Sequence, residues 1–86
     1  MNDERNNILQ TIGKNIKAIR MSKGITQEVM AERLNKSINF VSLLEKGSSG
    51  ASLQTLVDIC NILGVDANCI FKGLLTYNIE EKDRYI

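Results

Sequence analysis

The chain has 86 residues, 43% hydrophobic and only 5% aromatic, with no proline, tryptophan or histidine and a formal charge of +1. That length supports one core burying roughly 60 to 70% of the unfolded surface, and the aliphatic composition points to an all-α domain. Without histidine, Cys60 and Cys69 are too few soft ligands for a zinc site, and they read as plain thiols filling core or surface positions.

The first predicted element is a helix on which Ile8, Ile12, Ile16 and Ile19 recur at helical spacing. Lys14, Lys17, Arg20 and Lys23 lie mostly off that stripe, and Gly24 stands where a C′ glycine ends a helix. Thr26 is then an N-cap, Glu28 lies in the first turn where the helix dipole favours a carboxylate, and Met30, Ala31 and Leu34 make the apolar stripe of a short second helix. Asn35 follows at once, a residue that tolerates a left-handed conformation, and Ser37 offers the next N-cap. Val41 and Leu44 share one face of the third helix, which ends at Gly47. After the loop GSSGA, Ser52 caps a fourth helix whose stripe is Leu56, Ile59, Cys60 and Leu63, ending at Gly64. Asp66 caps a short fifth helix containing Ile70 and Phe71, and LLTYNIEEKDRYI beyond it has apolar residues but no clean period.

The small net charge hides an asymmetry. From Ile12 to Gly50 there are seven basic and three acidic residues, a net +4, whereas the remainder has four basic and seven acidic, a net −3. One part of the fold is therefore positive and suits a nucleic acid; a solvated mixed surface is the alternative that charge alone leaves open. The polar start MNDERNNILQTIG has no apolar signal core and no run approaches a membrane span, so a cytoplasmic protein without membrane contact is expected.

Two short helices joined by a tight turn, with a small residue at Ala31 so that the second can cross closely, form a helix-turn-helix arrangement. The run IGKNIKAIRMSKGITQEVMAERLNKSINFVSLLEKG, followed by SLQTLVDICNILGVD, closely resembles the phage-repressor-like helix-turn-helix family, also called the Cro/repressor or xenobiotic-response-element type. The resemblance covers about Ile12 to Phe71. It implies a compact five-helix, lambda-repressor-like DNA-binding domain over residues 1–73, with 74–86 a C-terminal helical extension or tail, and a bacterial or phage transcriptional regulator that represses from double-stranded DNA.

Carried over position by position, the resemblance makes Gln27 a phosphate contact at the start of the second helix, where backbone N–H groups also favour an anion. It makes Arg20 and Glu45 a structural ion pair between the first and third helices. Ile38, Asn39 and Leu43 match positions that point at base edges in relatives. Asn39 can be bidentate to adenine, while Ile38 and Leu43 depart from the usual polar residues and suit the thymine methyl, so an A·T-rich site is expected. Phe40 matches an aromatic that packs beside the second helix. Lys36, Lys46, Ser48 and Ser49 are the remaining candidates for phosphate contact, the serines through hydroxyls and loop N–H groups, with a plain connector as the alternative.

One helix in one groove sees few base pairs, so a homodimer on a two-fold site is expected. The resemblance places pairing near the fifth helix, where Leu74, Leu75, Tyr77 and Ile79 supply apolar surface; covering the domain's own core is their other reading. An antitoxin-like or antirepressor-like module, holding a protein on the apolar face of the third helix, is the alternative function. With no paired carboxylates on one face and no nucleophile beside a base, no enzyme, cofactor or small-molecule substrate is expected.

Overall fold

The structure, a computed structural model, describes residues 3–74. Five helices follow one another: α1 (Asp3–Ser22), α2 (Gln27–Leu34), α3 (Ile38–Lys46), α4 (Leu53–Leu63) and α5 (Ala67–Ile70). No strand occurs among the described residues.

Local chemistry sets the starts of α2 to α5. The Thr26 hydroxyl accepts from the Val29 N–H at 3.1 Å, Ser37 from Phe40 at 3.0 Å, Ser52 from Thr55 at 3.1 Å, and the Asp66 carboxylate from Asn68 at 3.1 Å. Each cap satisfies an N–H the helix itself cannot pair, worth about 1 kcal/mol.

The core is aliphatic and draws on all five helices: Ile16, Met30, Ala31, Leu34, Val41, Leu44, Ile59, Leu63 and Ile70 are buried. On α1 the isoleucine stripe is buried only in its middle. Ile16 is fully buried and Ile12 and Ile19 partly, but Ile8 is 43% exposed because the N-terminal turns of α1 reach past the core. Leu9, one position round, instead faces the α3–α4 loop, where a Cβ on Gly50 would lie 3.2 Å from its Cδ2. On α4 the inward face is Thr55, Ile59 and Leu63, and Leu56 and Cys60 are only partly covered. Thr55 is tolerated inside because Ser52 donates to its hydroxyl at 3.0 Å.

α1 crosses α3 at backbone distance. A Cβ on Gly13 would lie 2.5 Å from the Leu44 carbonyl oxygen and 2.7 Å from that of Glu45. α1 also closes the far end of the fold, since the Asn15 amide donates to the carbonyls of Ile70 at 2.7 Å and Lys72 at 2.9 Å. The Ile70 carbonyl is one that the short α5 leaves unpaired at its C-terminal end, and Lys72 lies two residues beyond it.

Glycine to alanine inside a helix normally stabilises by about 0.5 to 1 kcal/mol. Gly13→Ala should do the reverse, costing about 2 kcal/mol or more, because backbone rather than a flexible side chain must move. Asn15→Ala should cost about 1 to 3 kcal/mol through two lost hydrogen bonds. Urea melts monitored by circular dichroism measure both; an alanine at position 13 that stabilised the protein would contradict the close crossing.

Candidate nucleic-acid interface

The three-residue turn between α2 and α3 depends on Asn35, whose backbone is left-handed at φ 59°. Its N–H and that of Lys36 return to the Glu32 and Ala31 carbonyls at 3.1 and 2.9 Å, ending α2 before Ser37 starts α3. Ala31, buried at 3% exposure, lets α3 cross α2 closely.

α3 presents Val41, Leu44 and Glu45 inward. The opposite side carries Asn39, Ser42, Leu43 and Lys46, which lie on one stripe by helical spacing, with Ile38 beside Ser42. Asn39 and Lys46 are exposed, Ile38 is 47% exposed, and Ser42 and Leu43 are half-buried. Ser42 is not among the positions that the resemblance singles out, yet it sits at the centre of this face; the three- and four-residue spacing to Asn39 and Lys46 was the signal for it. Phe40 is partly buried against the core, and the Lys36 ammonium lies 5.4 Å from its ring centroid, a cation–π contact that holds Lys36 beside the N-terminal end of α3.

Behind this face a polar cluster ties three helices. Arg20 of α1 meets Glu45 of α3 through two parallel bonds, Nε to Oε2 at 2.6 Å and Nη2 to Oε1 at 3.0 Å. The remaining guanidinium nitrogen donates to the Ile25 carbonyl at 2.7 Å, in the α1–α2 turn. Both residues are buried, at 7% and 5% exposure. Gln27 joins them: its amide nitrogen donates to Glu45 Oε1 at 3.0 Å. The resemblance makes Gln27 a phosphate contact separate from the ion pair. In the fold one of its two amide hydrogens is spent on Glu45, leaving the other for an external acceptor.

The α3–α4 loop differs from its expected use in one respect. Gly47 takes the left-handed conformation at φ 78°, and the Ser48 N–H turns back to the Leu43 carbonyl at 2.9 Å. That N–H closes α3 and is not a free donor, so Ser48 keeps only its exposed hydroxyl; Ser49 is half-buried. Gly47 also lies against α1, where a Cβ would come within 2.6 Å of Gln10 Cα.

Elsewhere Cys60 and Cys69 are free thiols, and burial pushes the Cys60 thiol up from its ordinary value, with Asp66 and Cys69 adding to the shift. Leu74 is half-buried, while Leu75, Tyr77 and Ile79 lie outside the described residues. No helix among the described residues is long and apolar enough to cross a membrane.

A helix-turn-helix family model matches residues 16–68, from the buried middle of α1 into α5. The chain is 35% identical over 75 residues to the immunity repressor protein of Bacillus phage phi105, covering 87% of this chain and 51% of that protein. It is 36% identical over 61 residues to YonR, an SPbeta prophage-derived HTH-type transcriptional regulator of Bacillus subtilis, covering 71% of this chain and 56% of the relative. The chain thus spans about half the length of these two relatives. Among solved structures, the restriction-modification controller protein C.AhdI from Aeromonas hydrophila shares the fold with a TM-score of 0.70 at 24% identity, over 73% of this chain and 96% of that one. The clp gene regulator ClgR from C. glutamicum matches with a TM-score of 0.70 at 28% identity, over 73% and 82%.

Removing either member of the buried pair strands the other charge, so Arg20→Ala and Glu45→Ala should each cost about 3 to 5 kcal/mol. The double variant should cost well under the sum, and Gln27→Ala should add a smaller loss of about 1 to 3 kcal/mol. A double-mutant cycle from urea melts reads the coupling; additive effects would mean that the pair does not act as one unit.

Proposed function

Because this chain belongs to the XRE-type helix-turn-helix family of transcriptional regulators and repressors, we propose that it represses transcription by reading a two-fold, A·T-rich operator as a homodimer. α3 of each protomer lies in the major groove. The family binds double-stranded DNA and is not an enzyme class. The observation that carries the reading is the outward face of α3, held rigidly from behind by Arg20 and Glu45 while Ile38 and Asn39 stand in solvent.

Each residue on that face has a defined chemistry. The Asn39 amide pairs with adenine N6 and N7, Ile38 and Leu43 lie against thymine methyls, and the Ser42 hydroxyl donates or accepts between them. G·C pairs would leave polar base edges facing Ile38 and Leu43 without partners, which is why the site is A·T-rich. Around the rim, the free Gln27 amide hydrogen, Lys36, Lys46 and the hydroxyls of Ser48 and Ser49 touch the phosphate backbone. They set register without specifying sequence. With no arginine on this face the electrostatic contribution is small, so each protomer binds modestly and the second half-site supplies the rest.

The 47% exposure of Ile38 favours one other reading, in which the same face of α3 holds a protein. The excess of basic residues between Ile12 and Gly50 supports DNA over an apolar partner.

Selection from a random duplex pool should return A·T-rich half-sites centred roughly 34 Å apart or a multiple of that. On the selected site Asn39→Ala should lose about 1 to 3 kcal/mol and change little on random DNA, whereas Lys46→Ala should weaken both alike and reduce the salt slope by about 1 per protomer. Replacing thymine by uracil removes only the methyl; the resulting loss of affinity should vanish in Leu43→Ala. Fluorescence anisotropy measures all three. If wild type binds both duplexes equally and Asn39→Ala binds as well as wild type, α3 does not read bases and the protein-binding reading takes its place.

A further inference from the structure

Of the residues on the outward face of α3, Asn39 alone is exposed and carries both a hydrogen-bond donor and an acceptor. A single methylene joins its amide to the backbone, so the group has little freedom to swing aside. The helix beneath it cannot retreat either. Phe40, the next residue, packs on the core while its N–H bonds the Ser37 hydroxyl at 3.0 Å, and further along α3 the Arg20–Glu45 pair and the backbone of α1 at Gly13 hold the inner side. Ile38 precedes the amide and Leu43 follows one turn on, so its flanks are aliphatic.

We propose that Asn39 makes binding depend on the methylation state of the adenine it reads, so that duplex DNA carrying N6-methyladenine at that position is refused. The inference rests on the base-reading role of α3 above and adds a covalent mark on the DNA to what the protein distinguishes. In a paired adenine one N6 hydrogen bonds the thymine and the other points into the major groove beside N7, where Asn39 Oδ1 accepts it while Nδ2 donates to N7. Pairing keeps the first hydrogen, so in a duplex an N6 methyl replaces the second. The donor to Oδ1 is lost, and the methyl stands where the amide must lie.

Both penalties persist because nothing on this face relieves them. A site built to hydrogen-bond a group rejects the analogue that lacks it, since its own polar atom is then left unpaired. Ile38 and Leu43 offer Oδ1 no substitute donor, and they keep out the water that could supply one. The rigid seat of α3 prevents the helix from backing away from the added methyl, so the clash acts as a repulsive element against the modified base. The thymine methyl is different, because it projects from the other base of the pair toward aliphatic side chains. On a two-fold site the two adenines read by Asn39 lie on opposite strands. Methylation of one strand therefore removes one contact, and methylation of both removes two.

The test is fluorescence anisotropy on the duplex recovered by selection, resynthesised with N6-methyladenine at each half-site adenine in turn, on one strand or on both. At one adenine per half-site, methylation of one strand should lower wild-type affinity about 10-fold or more, the size of one lost bidentate base contact, and methylation of both strands by the square of that factor. At the same adenine 7-deazaadenine, which replaces only N7 by C–H, should also weaken binding. Asn39→Ala is at an exposed position, so circular dichroism should be unchanged, and at low salt phosphate contacts keep its binding measurable. In that variant both modifications should shift affinity by less than about twofold, whereas Lys46→Ala should retain both penalties in full. A wild type that binds methylated and unmethylated duplexes alike overturns the proposal and leaves base reading standing. So does an equal penalty in wild type and Asn39→Ala, which would place the effect in the DNA's own pairing, and so does tighter binding to the methylated duplex, which would seat the methyl between Ile38 and Leu43. A wild type without sequence preference on any duplex sinks the base-reading role and the proposal with it.

Discussion

A guanidinium on α1 closing on a carboxylate of α3 fixes the position of the helix that faces outward. Burying two charges costs several kcal/mol per ion, and the cost is offset only where geometry is good and the remaining donors find partners. Here both conditions hold: Arg20 and Glu45 make two parallel bonds, the third guanidinium nitrogen reaches the Ile25 carbonyl, and Gln27 donates to the same carboxylate. The net stability gained over an apolar pair of equal volume is small. What the cluster adds is direction, because hydrogen bonds of this geometry exist at one setting of α3 against α1 and α2 and are lost if α3 rolls or slides.

The backbone crossing reinforces that setting. Gly13 lets α1 approach within contact of the Leu44 and Glu45 carbonyls, and Gly47 lets the end of α3 lie on Gln10. With Ala31 at the crossing of α2, small residues meet α3 from two helices while the ion pair pins it in between. A nine-residue helix alone in water is unstable. It is usable as a rigid probe only because its inner face is held along its length.

Rigidity on one side leaves the other side free to be chosen by ligand chemistry. The outer face of α3 pairs one amide and one hydroxyl with two aliphatic side chains, a combination able to recognise shape and methyl groups more than charge. Under the proposed function, phosphate attraction from few lysines is weak, and two such faces on one duplex would multiply what a single one lacks.

Much of this was legible in the chain itself. Thr26, Ser37, Ser52 and Asp66 as caps, and Asn35 and Gly47 as left-handed ends, are decided within about four residues by which backbone groups a helix leaves unpaired, so local sequence determines them. The apolar periods of α2 and α3 likewise name their buried faces. The contacts that join distant segments were not legible. Nothing near Asn15 in the chain announces the carbonyls of Ile70 and Lys72, and nothing near Gly13 announces the backbone of Leu44. Gln27 shares its amide with Glu45, the Ser48 N–H is consumed by Leu43, and Ile8 and Val57 lie outside the core although their residue types suit its interior. Periodicity says that a side chain shares a face with its neighbours, but which faces meet, and which remain open, follows from how five helices pack at once.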